Sequence, residues 1–265
     1  MSESPAAYAE PPSAPPRREF RLPQAADVPG VTYAIVAITV AIYLLQLASV
    51  WLIGLPPGGG MDWLEYFGAR VNSLIRAGQV WRFFTPALLH ASPPHILFNM
   101  YALGSFGGSL ERQLGHGRFL TLYILSAFAG NVLSFFLAGD GGYSVGASTA
   151  VFGLVAAEGV FLYQNRRLFA RQFGRAIGNI IFIVVINLAL GGLAAGIDNW
   201  GHIGGLMGGL IFTWFAGPLL ELEGQYPDLK LIDRREWRDV ITGAGAVILI
   251  FGALAVAGIV APIMR

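Results

Sequence analysis

The chain has 265 residues, of which 55% are hydrophobic and only 12% charged, and its mean hydropathy is +0.59. That is too apolar for a water-soluble domain and fits a bundle of membrane-spanning helices. A net charge of +1 offers nucleic acid no basic field, and with no cysteine in the chain there are no disulfides, thiolate metal sites or cysteine nucleophiles.

Residues 1–29 are rich in Pro, Ala, Ser and Glu, carry Arg17, Arg18 and Arg21, and read as a disordered cytoplasmic arm, too polar for a signal peptide. The apolar run Val31 to Leu55 is too long for a cleaved segment and reads as a retained signal anchor. In the external loop, 56–93, Trp63, Tyr66, Phe67, Trp81, Phe83 and Phe84 are mixed with Asp62, Glu65, Arg70, Arg76 and Arg82, which predicts short helical pieces half-sunk in the outer leaflet. Further spans are predicted at Pro94 to Leu110, Phe119 to Ala138, Ser148 to Tyr163, Ala176 to Ala195 and Gly201 to Phe215. With the first they make an all-α membrane core over 30–220, followed by a cytoplasmic linker, 221–239, and a last span, Val240 to Ala261, within 240–265.

A cytoplasmic N-terminus puts Arg17, Arg18, Arg21, Arg112, Arg118, Arg166, Arg167, Arg171, Arg175, Lys230, Arg234, Arg235 and Arg238 inside, and Arg70, Arg76, Arg82 and Arg265 outside. The C-terminus is then external. The second, fourth and sixth spans all start at the external face, and their first turns carry His95 and Asn99, Ser148, and His202.

Ser148 opens its span after the polar loop Gly139 to Ser144 and the junction Val145-Gly146-Ala147. A helix-start serine is first of all a cap. Its span is short, however: roughly 16 residues reach about 24 Å, less than the ~30 Å hydrocarbon core, so Ser148 lies below the external interface. Irregular backbone at that depth must be buried in protein or line water. Ser92, Pro93 and Pro94 suit the start of the second span, where His95 and Asn99 share a face at i,i+4. Gly201, Gly205 and Gly209 form one small ridge on the sixth span and Gly204 and Gly208 another, while Gly146, Ala150, Gly153 and Ala157 form a matching strip on the fourth. Close packing of the two strips brings His202 to Ser148, which supplies the parts of acyl transfer: a nucleophile, a general base and oxyanion donors.

Asp198 either caps the sixth span or orients the imidazole, and Asn199 and Trp200 read as loop or cavity-lining residues. Ala150 stands where a soluble hydrolase's nucleophile elbow needs glycine. Alternative uses remain open: His202 and Asn99 as interhelical donors, and His90, His95 and His202 as a metal trio that no carboxylate joins. His116 lies on the internal side, Glu111 and Arg112 are candidates for a structural ion pair to loops, and Glu158 is expected against a polar partner.

The chain resembles the rhomboid family of intramembrane serine proteases. The matching residues are Val80-Trp81-Arg82-Phe83, His90, His95-Ile96-Leu97-Phe98-Asn99, Glu111-Arg112 with Gly115, Gly146-Ala147-Ser148 and Gly201-His202-Ile203-Gly204-Gly205, in family order over roughly Trp81 to Phe215. The resemblance implies a six-helix catalytic core plus one extra C-terminal helix. It implies Ser148 as nucleophile and His202 as base, an oxyanion hole of His95, Asn99 and the Ser148 N–H, an aromatic Phe152 against the histidine, and supporting roles for Gly146, Trp81, Arg82 and His90. It implies no cofactor and no metal, transmembrane proteins as substrates that arrive sideways, with the fifth span and its Gly191-Gly192 pair as the expected entry, and the inner membrane of a bacterial cell as the expected location. Thr149 departs from the family's usual glycine, and Gly204 and Gly205 are expected to make room for it. The competing readings are an inactive relative that binds transmembrane clients and a transporter, for which the sequence has no internal repeat.

The arginine asymmetry predicts that a cysteine replacing Asp140 reacts with an impermeant thiol reagent applied outside intact cells, whereas one replacing Arg167 does not; the reverse labelling pattern overturns the common external face.

Overall fold

The structure, a computed structural model, describes residues 25–193, 196–225 and 229–260. The expected arm therefore lies outside the described residues up to residue 24. Residues 25–29 sit against the C-terminal end of the second span, where Ala25 and Ala26 donate to Arg112 O.

Helix α1 (Gly30–Ile53) buries Thr32, Ile35, Thr39, Tyr43, Gln46 and Ser49, spaced three or four apart. Lipid accepts Leu and Val but not orphan hydroxyls and amides, so this helix turns its polar stripe inward. Its start is held by Glu111, fully buried, which accepts from Val31 N at 2.8 Å, Thr32 N at 2.7 Å and Thr32 Oγ1 at 2.6 Å. Glu111 thus acts on a helix terminus and on His116, rather than as an ion pair to loops shared with Arg112.

The loop 56–93, expected to be external, contains α2 (Trp63–Gly68), started by the Asp62–Glu65 capping box, the two-residue β1 (Arg70–Val71), α3 (Asn72–Arg76) and 3-10 turns at Val80–Phe83 and Thr85–Leu88. β1 pairs antiparallel with β2 (Tyr143–Ser144), Arg70 opposite Ser144, and so ties this loop to the one preceding Ser148. The second span is continuous but not uniform. α4 (Pro93–Ala102), capped by Ser92, runs through a wide π turn, Leu103–Gly107, into α5 (Gly108–Leu114). The turn lies where α1 comes closest: a Cβ at Gly107 would be 3.2 Å from Thr32 Oγ1.

At the centre, α9 (Asn199–Ala216) packs between α6 (His116–Leu137) and α7 (Ser148–Gln164), and its two glycine ridges serve different partners. Gly205 and Gly209 face α7, where an added Cβ would be 2.8 Å from Thr149 C and 2.6 Å from Gly153 Cα. Gly204 and Gly208 face α6, where it would be 2.6 Å from Ala129 O and from Ala129 Cβ. The predicted strip on the fourth span is therefore half of the arrangement. α10 (Trp237–Val260) lies against α6 and α9, burying Phe251 and setting Gly243 beside Phe212 and Gly258 beside Phe135. By contrast, α8 (Ala170–Leu193) buries only Gly191, which meets Asn199.

Two expectations need correction here. The linker 221–239 is not plain chain: it holds all but the first residue of a hairpin, β3 (Leu220–Glu223) with β4 (Lys230–Asp233), whose alternating Leu-Glu-Leu-Glu and Lys-Leu-Ile-Asp segments carry a period of two. It is anchored to α6 through Arg118 and Asp233. Glu158 is half-buried and has no hydrogen-bond partner among the described residues.

Thr149 is 4% exposed, and its methyl is accommodated by Gly130 of α6 and Gly201 of α9 rather than by Gly204 and Gly205: an added Cβ would lie 2.7 Å from Thr149 Cβ at Gly130, and 3.1 Å from its Cγ2 at Gly201. Gly204 is turned to α6, and Gly205 meets the Thr149 backbone.

Overpacking predicts that Gly205→Ala lowers stability by about 1–3 kcal/mol, whereas Gly252→Ala on open α10 surface changes it little. Thr149 Oγ1 is buried without a partner among the described residues, so Thr149→Val melts no lower than the natural protein. Thermal unfolding in detergent micelles tests all three; equal melting of the two glycine variants overturns the packing account.

Candidate active site

Ser148 is the first residue of α7, a helix of 17 residues whose length of about 25 Å falls short of the ~30 Å hydrocarbon core. His202 lies in the first turn of α9, 8% exposed. Because glycines let α9 and α7 approach so closely, His202 Nε2 reaches Ser148 Oγ at 2.9 Å. The Phe152 ring, one turn after the serine, lies flat on the imidazole, with centroids 4.2 Å apart and planes 6° from parallel.

Asp198 caps α9, accepting from Gly201 N at 2.9 Å and from Ser134 Oγ at 2.6 Å, and pairs with Arg70 at 3.4 Å. Of its two sequence readings the structure has the cap. His202 Nδ1 is buried with no hydrogen-bond partner among the described residues. Asn199 Nδ2 donates to Leu188 O and joins α9 to α8. Arg70 was not visible as a site residue in the sequence, since nothing in an aromatic, arginine-containing loop marks the one arginine that meets a helix cap more than a hundred positions later.

The other side of Ser148 is formed by Gly146 and α4. Gly146 has φ +128°, a conformation that favours glycine, and a Cβ there would be 2.6 Å from His95 Nε2. Its N–H donates to Pro86 O at 2.9 Å. His95 stands edge-on to His90, their ring centroids 5.0 Å apart. Asn99, 7% exposed, donates to His95 O one turn back at 2.9 Å. His90 Nε2 accepts a long hydrogen bond, 3.4 Å, from Ala147 N. The first intrahelical bond of α7 is Val151 N to Ala147 O, so the Ser148 N–H is one of the unpaired first-turn donors.

Trp81 and Arg82 are not brought to this cluster. Trp81 Nε1 donates to Phe67 O at 3.1 Å, and Arg82, 2% exposed, donates to Gln79, to Ala69 O at 2.5 Å and to Tyr66 O at 2.8 Å. Their hydrogen bonds brace the external loop.

Comparison with known proteins agrees with this architecture. Residues 77–219 match the family model described as Rhomboid domain. The chain is 40% identical over 195 residues to Rhomboid protease GluP of Bacillus subtilis, an alignment covering 73% of this chain and 35% of that protein. It is 34% identical over 230 residues to Rhomboid-like protease 1 of Toxoplasma gondii, covering 78% of each, and 41% identical over 149 residues to RHOMBOID-like protein 1 of Arabidopsis thaliana, covering 56% of this chain and 38% of that one. The chain thus spans little more than a third of the length of the Bacillus and Arabidopsis relatives. An apolar bundle that has, among the described residues, four helices long and apolar enough to cross a bilayer, built around these contacts and matched over these residues, is an integral membrane protein, and the chain belongs to the rhomboid family.

Proposed function

We propose that the chain is a serine endopeptidase that hydrolyses peptide bonds in or beside transmembrane segments of other membrane proteins, with Ser148 and His202 as its catalytic dyad. The observation that carries this reading is the 2.9 Å contact between His202 Nε2 and Ser148 Oγ at the sunken start of a short span. His202 Nε2 takes the Ser148 proton as Oγ bonds to the scissile carbonyl carbon, and the carbonyl π electrons move to oxygen. The Ser148 N–H, His95 and Asn99 are the donors for that oxyanion. On collapse the C–N bond breaks, and His202 returns its proton to the departing amine. Water, deprotonated by His202, then cleaves the acyl ester and regenerates Ser148. The scarcely buried α8 supports sideways access of the substrate between α8 and the core. Gly191, which the sequence suggested as a point of mobility, is packed on Asn199, so any opening there involves the whole helix end. The arginine asymmetry supports a cytoplasmic N-terminus and an external C-terminus.

Ser148→Ala and His202→Ala are expected to abolish cleavage of single-span substrates in liposomes and labelling by a serine-reactive phosphonate, with unchanged thermal melts. Asn99→Ala retains turnover, lowered by about 10²–10³, because one oxyanion donor of several is lost. Chelators leave the rate unaltered. If the natural protein neither cleaves nor labels, the client-binding reading replaces this one; if EDTA stops the reaction and zinc restores it, the histidines are metal ligands.

A further inference from the structure

Gln46 lies in α1, 1% exposed, and its single amide group is spent on two neighbours. Nε2 donates to Asp62 Oδ2 at 2.6 Å and to His90 O at 3.2 Å, while Oε1 accepts from His90 N at 3.1 Å. The backbone of His90 is therefore gripped on its N–H and its C=O by one side chain of the first span. An amide buried inside a membrane bundle is costly unless its partners need it, and this one has three bonds.

Both ends of the contact are themselves held. Asp62 Oδ1 accepts from Leu64 N at 2.7 Å and Glu65 N at 3.0 Å, and Glu65 Oε2 accepts from Asp62 N at 3.2 Å, so the carboxylate that fixes Gln46 is part of a helix cap. On the far side, His90 is 1% exposed and its Nε2 accepts from Ala147 N, the residue before Ser148. Burial, with His95 nearby, pushes the His90 imidazole down to about 3, so the ring is neutral and its Nε2 is free to accept.

We infer that Gln46 is a positioning residue for Ser148: by clamping His90 it fixes the acceptor that holds the Ala147 N–H, and so sets where the serine hydroxyl stands against His202. This rests on the reading of Ser148 and His202 as the dyad. The first span then has a task beyond anchoring: it connects the external loop cap to the active-site loop.

Gln46→Glu is the informative substitution because it keeps size and shape. As a carboxylate it still accepts from His90 N but sets lone pairs against Asp62 Oδ2 and His90 O; once protonated it regains a donor for one of them. The titratable groups around position 46 are Tyr43 on α1, Asp62 and Glu65 from the external loop, His90 ahead of α4 and Tyr143 of β2. Burial raises Glu65 to about 7, and a carboxylate at position 46 would couple to it and to Asp62, so the rate ratio is measured with Glu65→Gln in both proteins and counts for position 46 only where its rise persists there.

The experiment measures kcat and KM for a single-span substrate, together with phosphonate labelling of Ser148, from about pH 8 to about pH 5, with a thermal melt at each pH. The expected result is a Gln46→Glu to natural kcat ratio that climbs about tenfold as pH falls, with KM little changed and labelling following kcat. Gln46→Leu, read at neutral pH, loses about tenfold or more in kcat at an unchanged KM. A ratio that stays flat across pH, or full turnover by Gln46→Leu, overturns the inference even where Gln46→Leu folds poorly, since the glutamate variant decides it alone. Should the natural protein fail to label while behaving like Ser148→Ala, the dyad reading falls and this inference with it; normal labelling with a flat ratio removes Gln46 only.

Discussion

The contact on which the rest depends is the backbone-to-backbone packing of α9 against α7 and α6. Lipid tails are as apolar as leucine, so burying apolar surface drives helices together far less in a bilayer than in water, and close dispersion contact takes over. Glycine supplies it on two faces of one helix. Gly205 presses on the Thr149 carbonyl and Gly209 on Gly153, while Gly204 and Gly208 press on α6. Because His202 is in the same first turns, the separation and axial register set by these glycines also set the 2.9 Å contact with Ser148. A methyl group added at Gly205 or Gly209 would overlap the α7 backbone, so the packing and the His202–Ser148 contact are a single property of the fold.

A second constraint is that a polar group placed in the bundle is costly without a partner there, and although Thr149 Oγ1 and His202 Nδ1 have none among the described residues, many of the others do. Those that do are given terminal and backbone groups to satisfy. Glu111 takes the free N–H groups at the start of α1, Asp198 caps α9 while neutralising Arg70, and Asn131 Nδ2 reaches Phe83 O in the external loop at 3.1 Å. Asn165 joins α7 to the chain after α9 through Pro218 O and Leu220 N. These contacts span elements far apart in sequence, and they hold the loops onto the glycine-packed centre.

What the sequence made legible follows from which forces are local. Apolar runs bounded by arginines coincide with the long helices, and the short fourth run has at its start the serine that meets His202. The glycine ridge pointing at α7 could be read because its complement, Gly153 among small neighbours, is also periodic. The second ridge, against α6, could not, since Ala129 and Leu133 are unremarkable in an apolar helix. The polar stripe on α1 has three- and four-residue spacing, but a long apolar run reads first as an anchor. The β3–β4 alternation was equally visible within a stretch read as linker. No local pattern announces the Arg70–Asp198 pair or the room that Gly130 and Gly201 make for Thr149, because each depends on how loops and helices meet.

The absence of an acid beside His202 Nδ1 among the described residues becomes intelligible once Asp198 is accounted for. An acid behind a catalytic imidazole orients the ring and stabilises the imidazolium formed during proton transfer. Here orientation has another source: the Phe152 ring stacked at 4.2 Å limits the imidazole to one plane, and Ser148 fixes its Nε2. Asp198 is one turn away but is bonded to Gly201 N, Ser134 and Arg70, so its charge is offset by a neighbouring guanidinium. In the proposed reaction an aromatic face thus supplies orientation without placing a second buried charge beside the base. Stabilisation of the imidazolium then falls to the oxyanion formed in the same step, whose opposite charge lies within a few ångströms across the serine; in a site partly excluded from water that attraction is large.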